Sequence, residues 1–186
     1  KTSKAEFVGK VDNDTVGTPG WLERLLDGHQ KSGRLGVVGG YHLNIKYADM
    51  PTLEKRVVTI DNVQLIPDAY IGGCCYLLRK SLQERFGYLN VTPGKKTFGW
   101  TEYQANLCMN GYHNGYLYPL LLVDHFDDPL SEHNLAFTKH AEISKISMGE
   151  KGIGQDREAL LAWYVQDARR VEKGTSLLER RLPLKF

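Results

Sequence analysis

The sequence predicts an α/β fold with a helical C-terminal tail. Two observations predict it. Short apolar runs typical of buried strands alternate with stretches of helical period over the first two-thirds of the chain. Beyond Pro129 the strand-like runs end, and one long helical pattern dominates. We therefore divide the chain into an α/β region at 1–134 and a helical extension at 135–186.

Apolar runs and capping residues predict the secondary structure of residues 7–56. Residues 7–11 form a short apolar run with the character of a buried strand. A helix is predicted from residue 19 to about residue 31, with Thr18 as its N-cap and Pro19 at its first position. Residues 35–42 predict a second strand. Residues 43–56 show no clear period and predict a long loop.

The middle of the chain contains the clearest turn signals. Residues 56–60 and 63–67 predict a hairpin with Asp61 and Asn62 at its turn. An apolar run at 70–78 predicts a strand that is interrupted by Gly72 and Gly73, and a short helix at 79–86 follows, closed by Gly87. Residues 90–99 are rich in turn formers.

Three more elements complete the prediction. A helix begins near Trp100, with Thr101 as its cap, and ends between Met109 and Gly111. Residues 116–123 predict a strand that leads into Asp124. Residues 156–173 have apolar side chains at helical spacing, and residues 176–181 add a last turn.

Composition narrows the class of protein. The chain has 186 residues, which suits one ordinary domain, and its net charge of +2 is too small to indicate a nucleic-acid partner. No apolar stretch approaches the roughly 18 residues of a membrane span. No signal-peptide pattern is visible, and three cysteines that include the vicinal pair Cys74 and Cys75 predict buried thiols in a reducing compartment. We therefore expect a cytoplasmic protein.

The first candidate for chemistry is the acidic stretch directly after the first strand. Asp12 and Asp14 are two residues apart, so they share one face of an extended chain and can converge on one cation or on a sugar hydroxyl. Mg²⁺ and Mn²⁺ prefer such oxygen ligands. The simpler interpretation is a turn in which these side chains only end the strand.

Three further candidates lie downstream. Asp124 and His125 at a strand end have the chemistry to complete a cation's ligand shell, although a plain strand terminus has the same pattern. Glu102 is a candidate general base or simply a favourable charge in the first turn of a helix. The aromatic residues beside it indicate a stacking surface for a sugar ring: Phe98, Trp100 and Tyr103. Gly72 and Gly73 predict either a β-bulge or bare backbone against a substrate.

The order of these features resembles the C-terminal half of the catalytic domain of family 2 glycosyltransferases, which have the GT-A fold. The resemblance covers about residues 5–128. It is most specific at Val11-Asp12-Asn13-Asp14-Thr15, which is followed by Gly20-Trp21-Leu22-Glu23-Arg24-Leu25, and next at Ile71-Gly72-Gly73-Cys74-Cys75-Tyr76-Leu77-Leu78-Arg79-Lys80. It implies a partial GT-A-type mixed sheet flanked by helices.

The resemblance also implies an activity. A metal-dependent enzyme of this kind transfers a sugar from a nucleotide diphosphate-sugar to a hydroxyl of a glycan or lipid-linked acceptor, with inversion at the anomeric carbon. Asp14, Asp12 and His125 would hold Mn²⁺ or Mg²⁺, and Asp12 would also lie near the donor's ribose. Glu102 would be the base, with Asp124 as the next candidate. The substrate would contact Asp12, Gly72, Gly73, Trp100 and Thr101.

The sequence departs from the family pattern in two places. The usual Glu-Asp pair is Thr101-Glu102 here, so the base is kept only if Glu102 takes the place of the Asp. A nucleotide-binding half normally precedes the first acidic stretch, whereas about six residues precede the strand here. We therefore expect a missing N-terminal half, present in a longer chain or supplied by another polypeptide. The alternatives are a non-catalytic module that binds sugar or protein, and a nucleotidyltransferase-like metal enzyme.

The helical extension carries a cluster of basic residues. One interpretation is a helix pair that packs on the domain and presents these charges to solvent. The other is a peripheral contact with an anionic membrane, where lipid-linked acceptors are found. The residues concerned are Arg169, Arg170, Lys173, Arg180, Arg181 and Lys185.

Overall fold

The computed structural model describes residues 4–87, 99–134 and 157–174. Its centre is a mixed sheet of six strands in the order β1-β6-β3-β7-β5-β4, and β3 and β7 are its one parallel pair among the described strands. The strands are β1 (Phe7–Val11), β3 (Leu35–Gly39), β4 (Val58–Ile60), β5 (Val63–Pro67), β6 (Cys75–Arg79) and β7 (His113–Leu117). A separate two-stranded ribbon pairs β2 (Thr15–Gly17) with β8 (Val123–His125).

Helices cover both faces of the sheet. They are α1 (Trp21–Lys31), α2 (Met50–Glu54), α3 (Lys80–Phe86), α4 (Trp100–Met109) and α5 (Arg157–Lys173), with a 3₁₀ turn at Ile45–Tyr47. Successive residues of a strand point to opposite faces. Val38 and Leu77 therefore pack on the α1 side with Leu25, whereas Val37 and Leu78 join a larger core on the other side. The predicted α/β class, with a mixed sheet flanked by helices, is confirmed.

Helix α5 belongs to that larger core. Its side chains at Leu160, Tyr164, Ala168 and Val171 are almost fully buried, in the same cluster as Tyr116 of β7. The 3.6-residue period that predicted this helix therefore marks a face that packs against the sheet. The predicted turn at 176–181 and the basic residues at 180, 181 and 185 lie outside the described residues.

Two predicted strands are too long. The strand predicted at 35–42 ends at Gly39, after which only Tyr41 forms an isolated bridge, with Leu122. The run predicted at 70–78 becomes a strand only from Cys75, so Gly72 and Gly73 precede β6 and are not a bulge within it. Apolar composition alone did not mark where the ladder begins, because the buried residues before and after a strand are equally apolar.

The prediction of a single strand at 116–123 is wrong. Strand β7 runs from His113 to Leu117, and a turn that contains Pro119 separates it from β8. Proline has no N–H to donate and interrupts a ladder. The chain then pairs β8 with β2, a three-residue strand that the sequence prediction missed.

The predicted loop at 43–56 is also wrong in part. It contains the 3₁₀ turn, where the Asn44 side chain accepts a hydrogen bond from the backbone N of Lys46, and helix α2, which begins beside Pro51 and buries Leu53. Elements this short show no period in a sequence window.

The helix starts differ from the prediction as well. Helix α1 begins at Trp21, and Gly20 in the left-handed region, with φ of 77°, takes the N-cap position instead of Thr18. Gly99, with φ of 69°, does the same before α4, so Thr101 lies inside the first turn and is not a cap. A left-handed glycine turns the chain into each helix without a side-chain cap.

Other predictions are confirmed. Asp61 and Asn62 form the hairpin turn with φ of 47° and 69°, the two positive values that a type I′ turn requires. Helix α3 ends at Phe86 and is followed by Gly87, as expected. The turn-rich segment predicted at 90–99 lies outside the described residues except for Gly99.

Candidate functional site

Three of the predicted site residues come together. Asp12, Asp14 and His125 each offer a ligand atom, and these atoms lie within 4.8 Å of one another. Nε2 of His125 lies 3.8 Å from Oδ1 of Asp14. All three residues are half-buried. Two carboxylates and an imidazole together offer oxygen and nitrogen donor atoms.

The backbone fixes this arrangement. Asp12 follows β1, and its N–H donates to the carbonyl of Cys74, 2.8 Å away, just before β6. The chain then turns into β2, whose Thr15 lies opposite His125 in the ribbon. The N–H of Phe126 donates to the carbonyl of Asp14 at 2.8 Å. The ribbon therefore aligns Asp14 with His125.

The other nitrogen of His125 also has neighbours. The N–H of Asp127 donates to its Nδ1 at 3.3 Å, and the hydroxyl of Tyr164 on α5 lies 3.5 Å from the same nitrogen. A cation on Nε2 requires the ring proton on Nδ1, so the bond from Asp127 would be lost and the Tyr164 oxygen would become the acceptor. Helix α5 therefore helps to orient this imidazole.

A cavity of about 530 Å³ opens beside the cluster. One side consists of Asp12 and His125 together with the backbone of Gly72 and Gly73. Its volume lies within the usual range of roughly 300–1,000 Å³ for small-molecule sites. The complete lining is Lys10, Asp12, His42, Asp68, Tyr70, Gly72, Gly73, Cys74, Tyr116, His125, Trp163, Tyr164, Asp167, Arg170 and Val171.

Helix α5 supplies another wall of the cavity. Trp163, Asp167 and Arg170 are spaced i, i+4 and i+7, so they lie along one face of the helix. Arg170 forms an ion pair with Asp167, which also lies 3.8 Å from Nε2 of His42. The sequence prediction missed this wall. The helical spacing places the three residues on one face, but it does not show what that face borders.

The two predicted glycines lie at the cavity floor. A Cβ on Gly72 would approach the His42 ring to 2.7 Å, whereas one on Gly73 would lie 3.6 Å from Trp100. Gly72 therefore leaves room for the imidazole of His42.

The predicted aromatic surface packs differently. Trp100 stacks on Tyr76 with a centroid distance of 4.4 Å, and its Nε1 donates to the carbonyl of Ile71. On its other side it lies near Tyr103. The cavity lining includes neither Trp100 nor Tyr103. Phe98 lies outside the described residues.

The predicted bases do not line this cavity either. Glu102 is exposed on α4, and Thr101 beside it is half-buried. Asp124 points to the other side of the ribbon, where it lines a second cavity and accepts a hydrogen bond of 2.9 Å from the hydroxyl of Ser131. Of the described residues, Asp167 and Asp68 are the carboxylates in the lining besides Asp12.

Two of the three cysteines are buried free thiols, as predicted. Cys74 and Cys75 are buried and unpaired with each other, and Cys108 is half-buried. Burial, and then the neighbouring Cys75, raises the pKa of the Cys74 thiol to about 12. Because the thiolate is the reactive form, Cys74 is chemically inert at neutral pH.

Comparisons of this chain with models of protein families, with curated proteins and with solved structures found no significant match. Within the described ranges, no helix combines the length and the apolar character that crossing a bilayer requires.

Proposed function

We propose that this chain takes part in metal-dependent, inverting transfer of a sugar from a nucleotide diphosphate-sugar to an acceptor hydroxyl. The observation that supports it is the convergence of Asp12, Asp14 and His125, of which Asp12 and His125 line a cavity large enough for a sugar. This is the arrangement that the resemblance to family 2 glycosyltransferases, with the GT-A fold, implies. The predicted nucleotide-binding half stays a prediction.

The donor atoms fit a divalent cation. Asp14 and Asp12 would provide carboxylate oxygens, and His125 would provide Nε2 once Nδ1 carries the proton. Mn²⁺ or Mg²⁺ bound there would offset the negative charge that grows on a departing diphosphate. A third carboxylate is not required, because these ions usually keep water and phosphate oxygens in their ligand shells.

Residues of the cavity lining would hold the acceptor. Trp163 offers an aromatic face, and Asp167 and His42 offer an acceptor and a donor for sugar hydroxyls. Gly72 and Gly73 let a substrate approach the backbone closely. Glu102 stays our proposal for the base, and Asp167 is the second candidate because it lies in the cavity lining.

A thermal-shift screen tests the proposal. Nucleotide diphosphate-sugars are added with and without Mn²⁺ to the chain and to Asp14→Ala. We expect a rise in the melting temperature that needs both ligands and disappears in Asp14→Ala. Asp27→Ala, which removes an exposed carboxylate on α1, serves as the matched control. Equal shifts in the two variants would contradict the metal site.

One observation favours a second candidate function, a sugar-binding module without catalysis. The predicted base Glu102 is absent from the cavity lining, whereas groups that bind hydroxyls are present. Such a module binds sugar in the presence of EDTA and transfers none. Measuring product formation together with binding separates the two functions.

A further inference from the structure

Among the described residues, the lysine and arginine side chains that line the cavity are Lys10 and Arg170. Arg170 is paired with Asp167, which is not part of the acidic cluster. Lys10 differs, because its Nζ lies 2.7 Å from Oδ1 of Asp12, one of the proposed metal ligands. An ammonium group therefore occupies a position next to an oxygen that the cation would use.

The geometry of β1 explains this contact. Lys10 and Asp12 are two residues apart at the end of the strand, so their side chains leave it on the same side. The side chain of Lys10 is 52% exposed, which leaves its flexible stem room to move. Its Nζ is also 4.0 Å from the position that a Cβ on Gly73 would take. Lys10 thus lies between the cluster and the cavity floor.

We propose that the ammonium group of Lys10 contacts Asp12 in place of the cation while no cation is bound. When a cation and a diphosphate bind together, the cation takes this place on Asp12 and Lys10 binds the diphosphate. This inference rests on the proposed function, and it names the species that the site takes up: the complex of a divalent cation with a diphosphate group. The free cation is the poorer ligand, because it must displace the ammonium from Asp12 and remain beside it.

Electrostatic interactions explain why the complex should bind better than the free cation. Two like charges about 4 Å apart in a hydrated site oppose each other enough to weaken binding several-fold. A diphosphate makes the effect of the Lys10 charge favourable. It accepts charge-assisted hydrogen bonds from the ammonium group, and its oxygens complete the cation's ligand shell. Lys10 thereby couples the two ligands, so that each binds better in the presence of the other.

Binding experiments with Lys10→Met test this coupling without any turnover. Free Mn²⁺ and the preformed complex of manganese with inorganic diphosphate are titrated separately by calorimetry. We expect Lys10→Met to bind free Mn²⁺ about threefold to tenfold more tightly and the complex at least about tenfold more weakly. Lys10→Arg keeps the charge and is expected to resemble the unmodified chain in both titrations.

The opposite signs make the test specific. Damage to the fold would weaken both ligands, and an effect of net charge alone would also appear in Lys31→Met, which removes a similarly exposed lysine from an ion pair on α1. Mn²⁺ binding that Lys10→Met leaves unchanged, or two shifts of the same sign, overturns this inference alone. Failure of Mn²⁺ to bind either the chain or Lys10→Met overturns the proposed function and the inference with it.

Discussion

Nε2 of His125 lies 3.8 Å from Oδ1 of Asp14, because the ribbon of β2 and β8 sets Thr15 opposite His125. The two side chains come from distant parts of the chain, and three pairs of residues determine their register. A slip of one residue would turn His125 to the other side of the ribbon. The candidate metal site therefore depends on this small element as much as on the six-stranded sheet.

Replacing Asp14 is expected to remove metal binding while the fold survives. Asp14→Asn keeps the size of the side chain and removes the charge that attracts the cation. We expect Mn²⁺ affinity to fall at least about tenfold, with His125→Gln showing a loss of similar size, a scale typical of altered metal sites. Electron paramagnetic resonance of free Mn²⁺ measures the change.

The control for this prediction is Asp27→Asn, which removes an exposed carboxylate far from the cluster. Its Mn²⁺ affinity should equal that of the unmodified chain. If Asp14→Asn also binds Mn²⁺ normally, the cluster is a turn that ends a strand. In a complete enzyme, transfer should stop in Asp14→Ala, and activity that persists with a chelator would argue against a metal role.

The two acidic residues could be predicted from sequence because a strand that ends in carboxylates two residues apart is a local pattern. His125 followed from the order of motifs in the resemblance, although the ribbon that brings it to Asp14 did not. Three-residue strands such as β2 and β8 leave no periodic signal. Their pairing depends on contacts between residues far apart in the chain.

The wall formed by α5 could not be predicted for a different reason. Its helix was clear from the period, and the face at Leu160 and Tyr164 was expected to be apolar. Nothing local shows that the neighbouring face, with Trp163 and Asp167, borders a cavity beside residue 12. That placement follows from how α5 packs against the sheet.

Glu102→Gln tests the proposed base. It preserves the shape of the side chain, so donor binding should persist, while turnover should fall at least about a hundredfold through the loss of a general base. The measurements are the initial rate of the proposed transfer and the affinity for the donor.

A rate near that of the unmodified enzyme would place the base elsewhere. Asp167→Asn is then the next variant, because Asp167 lines the cavity, whereas Asp124 faces the second cavity and bonds to Ser131. Exposed Glu158 on the same helix gives the matched variant Glu158→Gln, which should leave turnover unchanged.

Trp163 is expected to matter for the acceptor more than for the cation. Trp163→Ala removes the aromatic face, so the KM for a sugar acceptor should rise about tenfold, in line with roughly 1 kcal/mol or more for an aromatic contact. Mn²⁺ affinity should not change. Trp163→Phe should recover most of the loss, and Gln166→Ala on the exposed face should have no effect. Equal losses of Mn²⁺ and acceptor binding would indicate a structural role.

Gly72 and Gly73 give a matched pair of substitutions. In Gly72→Ala the new methyl group meets the His42 ring at 2.7 Å, so the ring must move away from its position near Asp167. In Gly73→Ala the nearest side-chain atom is 3.6 Å away, an ordinary contact. We expect Gly72→Ala to weaken sugar binding several-fold and Gly73→Ala to weaken it less. A larger loss of sugar binding in Gly73→Ala than in Gly72→Ala would show that His42 is not needed for binding.

His29 makes the fold sensitive to acid. Its ring is fully buried beneath the sheet, where Nε2 lies 3.0 Å from the carbonyl of Leu77 and burial lowers its pKa to about 4. In the unfolded chain the group titrates near 6.5. The unfolded state therefore binds more protons between these values, and the free energy of unfolding falls as the pH drops from 6.5 toward 4.

Linkage predicts a loss of about 3 kcal/mol from this one group across that window, with no such contribution above pH 6.5. Urea unfolding at several pH values measures it. His29→Gln retains a donor for the Leu77 carbonyl but does not titrate, so its stability should depend less on pH by about that amount. Carboxylates also titrate in this range, but they are common to both proteins and cancel in the difference. Parallel pH profiles for the two proteins would show that the folded state accepts a protonated His29.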